Sequence, residues 1–176
     1  MFHPVKHFKT VSQHKKEVFK LAVRAGIPWR GLTHDLSKFS PAEFIPGAAF
    51  WTGTCSPQVK ERDRYGYSAA WMHHKGRNKH HFEYWTDYVH GQGLTAIEMP
   101  KIYVAEMFCD RVAACKVYKG DAYTDASALE YFIWAKKNYF MNQNTMDLLE
   151  KLLIMLKEEG EQVTFDWIRH HLVWEK

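Results

Sequence analysis

The chain has 176 residues, of which 46% are hydrophobic and 15% aromatic, enough to close one continuous core and too apolar for a disordered segment. Its formal charge of +4 is spread along the sequence without a block of like charges, which gives no strong nucleic-acid signature and leaves room for small anionic ligands. Cys55, Cys109 and Cys115 form no CxxC pair and no apolar run approaches the ~20 residues of a membrane span, so a soluble, cytoplasmic protein without a disulfide framework is expected.

Eleven histidines are the one compositional anomaly, and neutral imidazole is the commonest metal ligand. The spacing of Val11, Val18, Leu21, Ala22 and Ala25 predicts a helix that Gly26 and Pro28 close. His14 joins that stripe and points inward; a core or surface histidine held by one hydrogen bond is the plainer alternative.

Pro28 then suits the first turn of a short helix running to Phe39. On it, His34 and Asp35 can offer one metal an imidazole nitrogen and a carboxylate oxygen, and Lys38 lies one turn further on. An ordinary Asp-Lys helix pair competes with that reading. Ser40-Pro41-Ala42-Glu43 has the form of a capping box that starts another helix. From Pro46 to Pro57 the composition marks a loop around Phe50 and Trp51, either a lid or a plain connection.

Residues Gln58 to His74 resume helical character, with Tyr67, Trp71 and His74 on one face, which favours His74 over His73 as the inward histidine. Together with His80 and His81 these make four histidines in nine positions. Neighbours on a helix differ by about 100°, so each doublet aims one member into a site unless the backbone bends, as Gly76 allows. Flanking Trp71, Phe82 and Trp85 favour a packed segment that binds metal or phosphate over four solvated side chains.

His90 to Glu98 reads as a glycine-containing loop. Pro100 opens a central helix to Tyr118 that is apolar around much of its circumference. Asp110 sits within it, and a carboxylate there costs several kcal/mol unless a cation meets it. Arg111 points elsewhere and Glu106, one turn back, would repel. Three more amphipathic helices follow, Asp125 to Tyr139, Asn144 to Glu159 and Thr164 to Trp174, with Asn144 and Thr164 as N-caps and Gly160 as a stop. His170 and His171 fit solvated positions. Almost no stretch alternates with period two, so the expected fold is all-α, a single-domain helical bundle of about seven or eight helices.

The order of these residues resembles the HD-domain metal-dependent phosphohydrolases. His14 through Val18 to Ala25-Gly26 is similar to that family's first helix, and residues 34 to 39, HDLSKF, to its HD-x-G-K signature, with Ser37 where glycine is usual. His80-His81-Phe82-Glu83-Tyr84-Trp85 resembles the HHExW element of the HD-GYP branch with the carboxylate one residue late. The helix from Ile97 resembles the branch's closing segment, whereas Thr86-Asp87-Tyr88-Val89 stands in place of the GYP element, which argues against a cyclic dinucleotide substrate.

The resemblance covers His14 to Tyr118 and implies an HD-type bundle whose metal-site core spans residues 11–118, with the helices of 125–174 packed on it. It implies one metal held by His14, His34, Asp35 and Asp110, and Asp35 bridging to a second held by His74 with His80 or His81. Manganese, iron, cobalt, nickel and zinc all suit such ligands. The implied activity is hydrolysis of a nucleotide or related phosphate ester by a metal-activated water, with Asp35 and Lys38 catalytic and Lys38 contacting the anionic substrate; Arg77 and Lys79 are candidates for further contacts, with solvated loop cations as the plainer alternative. A di-iron oxygenase of the same fold and a non-catalytic nucleotide- or partner-binding protein are the rival expectations.

Overall fold

Five of the six prolines open helices. Pro4, Pro28, Pro41 and Pro57 occupy first-turn positions and Pro100 stands as an N-cap, places where the missing N–H and the fixed φ cost nothing. The computed structural model describes residues 1–174. Its helices are α1 (Pro4–Arg24), α2 (Pro28–Thr33), α3 (Pro41–Ala49), α4 (Pro57–Tyr65), α5 (Ala69–Lys75), α6 (Lys101–Lys119), α7 (Ser127–Ala135) and α8 (Gln143–Ile168). The helical expectation therefore holds, and among the described residues no helix is long and apolar enough to cross a membrane.

The centre is α6, whose buried Val104, Ala105, Phe108, Cys109, Val112 and Ala113 face neighbours on several sides. Against it lie α1, which presents the stripe Val11, Val18, Leu21 and Ala22, and α8, which presents Leu149, Leu152, Leu153 and Leu156. Phe108, Phe132 and Phe165 are fully buried where α6, α7 and α8 meet, each contributing about 1.5–3 kcal/mol relative to exposure. At Gly31 the backbone of α2 comes so close to α1 that an added Cβ would lie 2.5 Å from Ala22 Cβ. His7 and His14 share the buried stripe of α1, so the surface that forms the core also carries imidazoles into it.

Several expected boundaries move. The helix opened by Pro28 ends at Thr33; His34 is extended, Asp35 is left-handed (φ 52°, ψ 30°), and a 3-10 turn covers Leu36–Phe39. The stretch from Gln58 to His74 is two helices, α4 and α5, and Tyr67 lies between them and exposed. Pro46 lies inside α3 rather than starting the loop. Residues 86–96 form an antiparallel hairpin, β1 (Thr86–Val89) and β2 (Gly93–Ala96), with Thr86 opposite Ala96 and Val89 opposite Gly93. Strands of four residues, none of them buried, carry too little alternation to be recognised as a period.

At the C-terminal end Asn142, not Asn144, caps α8 by accepting from Asn144 N and Thr145 N. Thr164 is no cap either: its hydroxyl donates to the Gly160 carbonyl at 2.9 Å. Gly160 departs from helical geometry (φ 79°, ψ 175°), a break where a stop was expected, after which the helix resumes. His171 stacks on Trp167 with ring centroids 4.4 Å apart and remains exposed.

Candidate metal centre

Five segments bring their polar side chains to one end of the bundle. From α1 comes His14; from the break after α2 come His34 and Asp35; α5 gives His74; the turn after α5 gives His80 and His81; and α6 gives Asp110. His34, Asp35, His74 and His80 are almost wholly buried. Asp35 is the only non-glycine residue with positive φ among the described residues, a conformation that aspartate tolerates better than most and that functional sites often impose. The helix breaks because two consecutive side chains must enter the same space, which the 100° step of a helix forbids. The same need explains His80 and His81. They lie in non-helical chain before the 3-10 turn of Phe82–Tyr84, and both reach the centre.

The donor atoms form two four-residue sets with mutual distances within 4.8 Å, His14, His34, Asp35 and Asp110, and Asp35, His74, His80 and His81, and a third of three residues, His34, His80 and Glu106. His14 Nε2 lies 2.9 Å and His34 Nε2 3.5 Å from Asp110 Oδ1. His74 Nε2 and His80 Nε2 lie 3.3 and 3.4 Å from Asp35 Oδ1. These approaches are not aligned as hydrogen bonds: the Nε2 atoms of His14, His34, His74, His80 and His81 and both oxygens of Asp35 are buried without a hydrogen-bond partner. Buried polar atoms are seldom left so. Lone pairs of nitrogen and oxygen converging on shared points fit a divalent metal, and the absence of thiolate from either set suits manganese, iron, cobalt, nickel or zinc.

Behind the ligands stand two glutamates. Glu106 Oε1 lies 3.1 Å from His34 Nδ1 and 3.3 Å from His80 Nδ1, and its Oε2 accepts from Arg30 Nη1 at 3.2 Å. Glu43 receives His73 and His74 through their Nδ1 atoms, each at 2.7 Å. Carboxylates on Nδ1 fix the tautomer that leaves Nε2 free to coordinate and make it a better donor. Neither glutamate was expected to have this role. Glu106 does not simply repel Asp110, because histidines from other elements stand between them. Glu43 does not close a capping box, since Ser40 makes no side-chain cap and the carboxylate turns to the histidines instead.

The electrostatics favour a bound cation. Burial raises the carboxyl groups of Asp35 and Asp110, but the neighbouring imidazoles, with Lys38 in the case of Asp35, outweigh it and hold both well below the usual carboxylate range. Against the same opposing effect, His34 and His80 pull Glu106 down to about 2. Burial lowers His14 and His81, with Lys38 adding to the effect on the first and His80 and His74 on the second; both are thus neutral, as ligands must be. For His34 the surrounding Asp35, Asp110 and Glu106 overcome burial and raise its pKa, the mark of a site with surplus negative charge.

Lys38 Nζ lies 2.6 Å from Asp35 Oδ2 and lines a chamber of about 170 Å³ together with His7, His14, His81 and Asp110. Arg77 and Lys79 do not join it: Arg77 donates to the His73 carbonyl at 3.2 Å, and Lys79 lies near the rings of Tyr84 and Tyr103. His73 stays in the outer layer on Glu43, as the inward position of His74 requires. Trp51 does not cover the site; its indole N–H donates to Thr10 Oγ1 at 3.0 Å on α1.

No curated protein and no solved structure matches the chain. Residues 3–155 match the profile of a family described as a family of unknown function (DUF5662), and because the match takes in most of the chain and every residue of the centre, the chain belongs to that family.

Proposed function

We propose that this chain is a metal-dependent phosphohydrolase of the HD-domain type, which hydrolyses a nucleotide or related phosphate ester. One observation carries the reading: five histidine Nε2 atoms and Asp35 Oδ1 lie buried without a hydrogen-bond partner and converge beside Lys38, which pairs with the other Asp35 oxygen. Asp35 is common to the two four-residue donor sets, so it would take part in holding an ion at either.

A divalent metal there supplies Lewis-acid polarisation of a phosphoryl oxygen and a water acidic enough to act as nucleophile near neutral pH. The chain's own residues do the rest. His14, His34, His74, His80, His81 and Asp110 fix the donor geometry, and Glu106 and Glu43 keep the imidazoles that they touch in the coordinating tautomer. Lys38 stays protonated, since Asp35 and Asp110 outweigh the burial that would lower it. From the chamber wall it offsets charge growing on the phosphoryl oxygens.

Phosphate release from a panel of nucleotides and simple phosphate esters, measured with added manganese for the wild type and for His34→Ala/Asp35→Ala, tests the reading. Turnover in the wild type and none in the variant is expected. Equal turnover in both would remove the site assignment, and oxygen consumption by an iron-loaded protein without any ester hydrolysis would replace hydrolysis with oxygenase chemistry.

A further inference from the structure

Next to the small polar chamber lies a second, larger space. It holds about 600 Å³ between α4, α6 and α7, within the ~300–1,000 Å³ range of small-molecule sites. The two spaces share Trp71, His81, Asp110 and Tyr118, so the cleft opens directly on the donor sets. Its walls include Val59, Phe82, Met107, Tyr131, Trp134 and Tyr139. Tyr131 and Trp134 lie 5.8 Å apart between centroids and remain 54% and 66% exposed. A tryptophan and a tyrosine left this open, side by side on the wall of a cleft, form a ready surface for an apolar body.

The charges along the cleft are mixed: Arg62 stands over the Trp71 ring, Arg111 donates to the Tyr139 hydroxyl at 3.1 Å, Lys119 pairs with Glu130, and the carboxylate of Glu83 also lines the wall. The aromatic and aliphatic wall therefore decides what body fits. The phosphoryl group belongs in the chamber, where Lys38 and a metal held by the donor sets would receive it.

Building on the phosphohydrolase reading, we propose that the substrate is a phosphate monoester with its phosphoryl group in the chamber and a bulky, mainly apolar or aromatic leaving group in the cleft. In the hydrolysis a water oxygen bonds to phosphorus as the ester P–O bond breaks. The leaving oxygen takes a proton from the water, and the products are inorganic phosphate and the free alcohol. Short polar esters are poor ligands on this account.

The test separates binding from turnover. Isothermal titration of the manganese-loaded chain with 2-(1-naphthyl)ethylphosphonate and with ethylphosphonate, neither of which can be hydrolysed, reads the cleft alone. The naphthyl compound is expected to bind at least about tenfold more tightly, as burial of an aromatic ring system implies. Val59→Trp, which fills the cleft from an exposed position, and Trp134→Ala, which removes its open wall, are each expected to reduce that ratio toward one. Equal affinities in the wild type, or a ratio unchanged in both variants, would overturn the proposal. Hydrolysis of the matching phosphate esters is scored separately. A binding preference without any phosphate release keeps the cleft assignment and removes the hydrolase reading, whereas hydrolysis of both esters with no binding preference does the reverse.

Discussion

Glu106 binds two imidazoles with one oxygen and Arg30 with the other, so its worth lies in what it holds. Glu106→Gln replaces a charged acceptor by a neutral one and leaves the packing volume unchanged. Manganese affinity, read by competition with a chelator, is expected to fall about 10–100-fold while the fold is kept; unchanged affinity would show that the imidazoles need no such support. At this scale the sequence was readable where a single residue violated an expectation of its surroundings. Asp110 in an apolar helix announced a polar partner by its cost alone, and His14 and His34 stand beside it; the His34-Asp35 pair drew notice by its chemistry. Glu106 and Glu43 carried no such signal, because the histidines that give them meaning come from segments about 30 to 70 residues away along the chain. The i, i+4 relation of Glu106 and Asp110 placed both on one face of α6 but could not say what lay between them.

Between α1 and α2 the chain leaves no room for a side chain at residue 31. A Gly31→Ala methyl would meet Ala22 Cβ at 2.5 Å and the Phe19 Cα at 3.1 Å, so α2 must shift outward. A loss of about 1–3 kcal/mol is expected in urea denaturation. Because α2 leads straight into His34-Asp35, weaker metal retention by the same variant is expected in the chelator assay. Helices were legible wherever an apolar stripe and a proline coincided, as in α1 and α6. They were misjudged where function overrode the pattern. A continuous helix to Phe39 satisfied every local rule, yet both members of the pair must face one point, and the backbone abandons the helix to let them. The short hairpin of 86–96 escaped for a different reason, since four-residue strands are too brief to establish a period against long helical neighbours.

Across the whole molecule, ionised Asp35, Asp110, Glu106 and Glu43 are gathered at one end of a core built for apolar contact. Such an arrangement costs stability until positive charge meets it. Manganese at about a hundred times its dissociation constant is expected to stabilise the native state by about 2.7 kcal/mol, visible as a higher Tm that a chelator reverses. A Tm indifferent to manganese, iron and zinc would argue against metal binding altogether. The composition foretold a closed core and the spacing a helical one, but which histidines stood inside depended on where three non-helical turns were placed. The left-handed turn at Asp35 has one more implication. His14 belongs to one donor set and His81 to the other, while Asp35 belongs to both. An ion in either set could therefore be lost alone through a change at the periphery, whereas a change at Asp35 would alter both sets together. By the reciprocity of linked equilibria, whatever one such ion did to the affinity of a second would be returned by the same factor, with Asp35 the side chain through which that coupling would run.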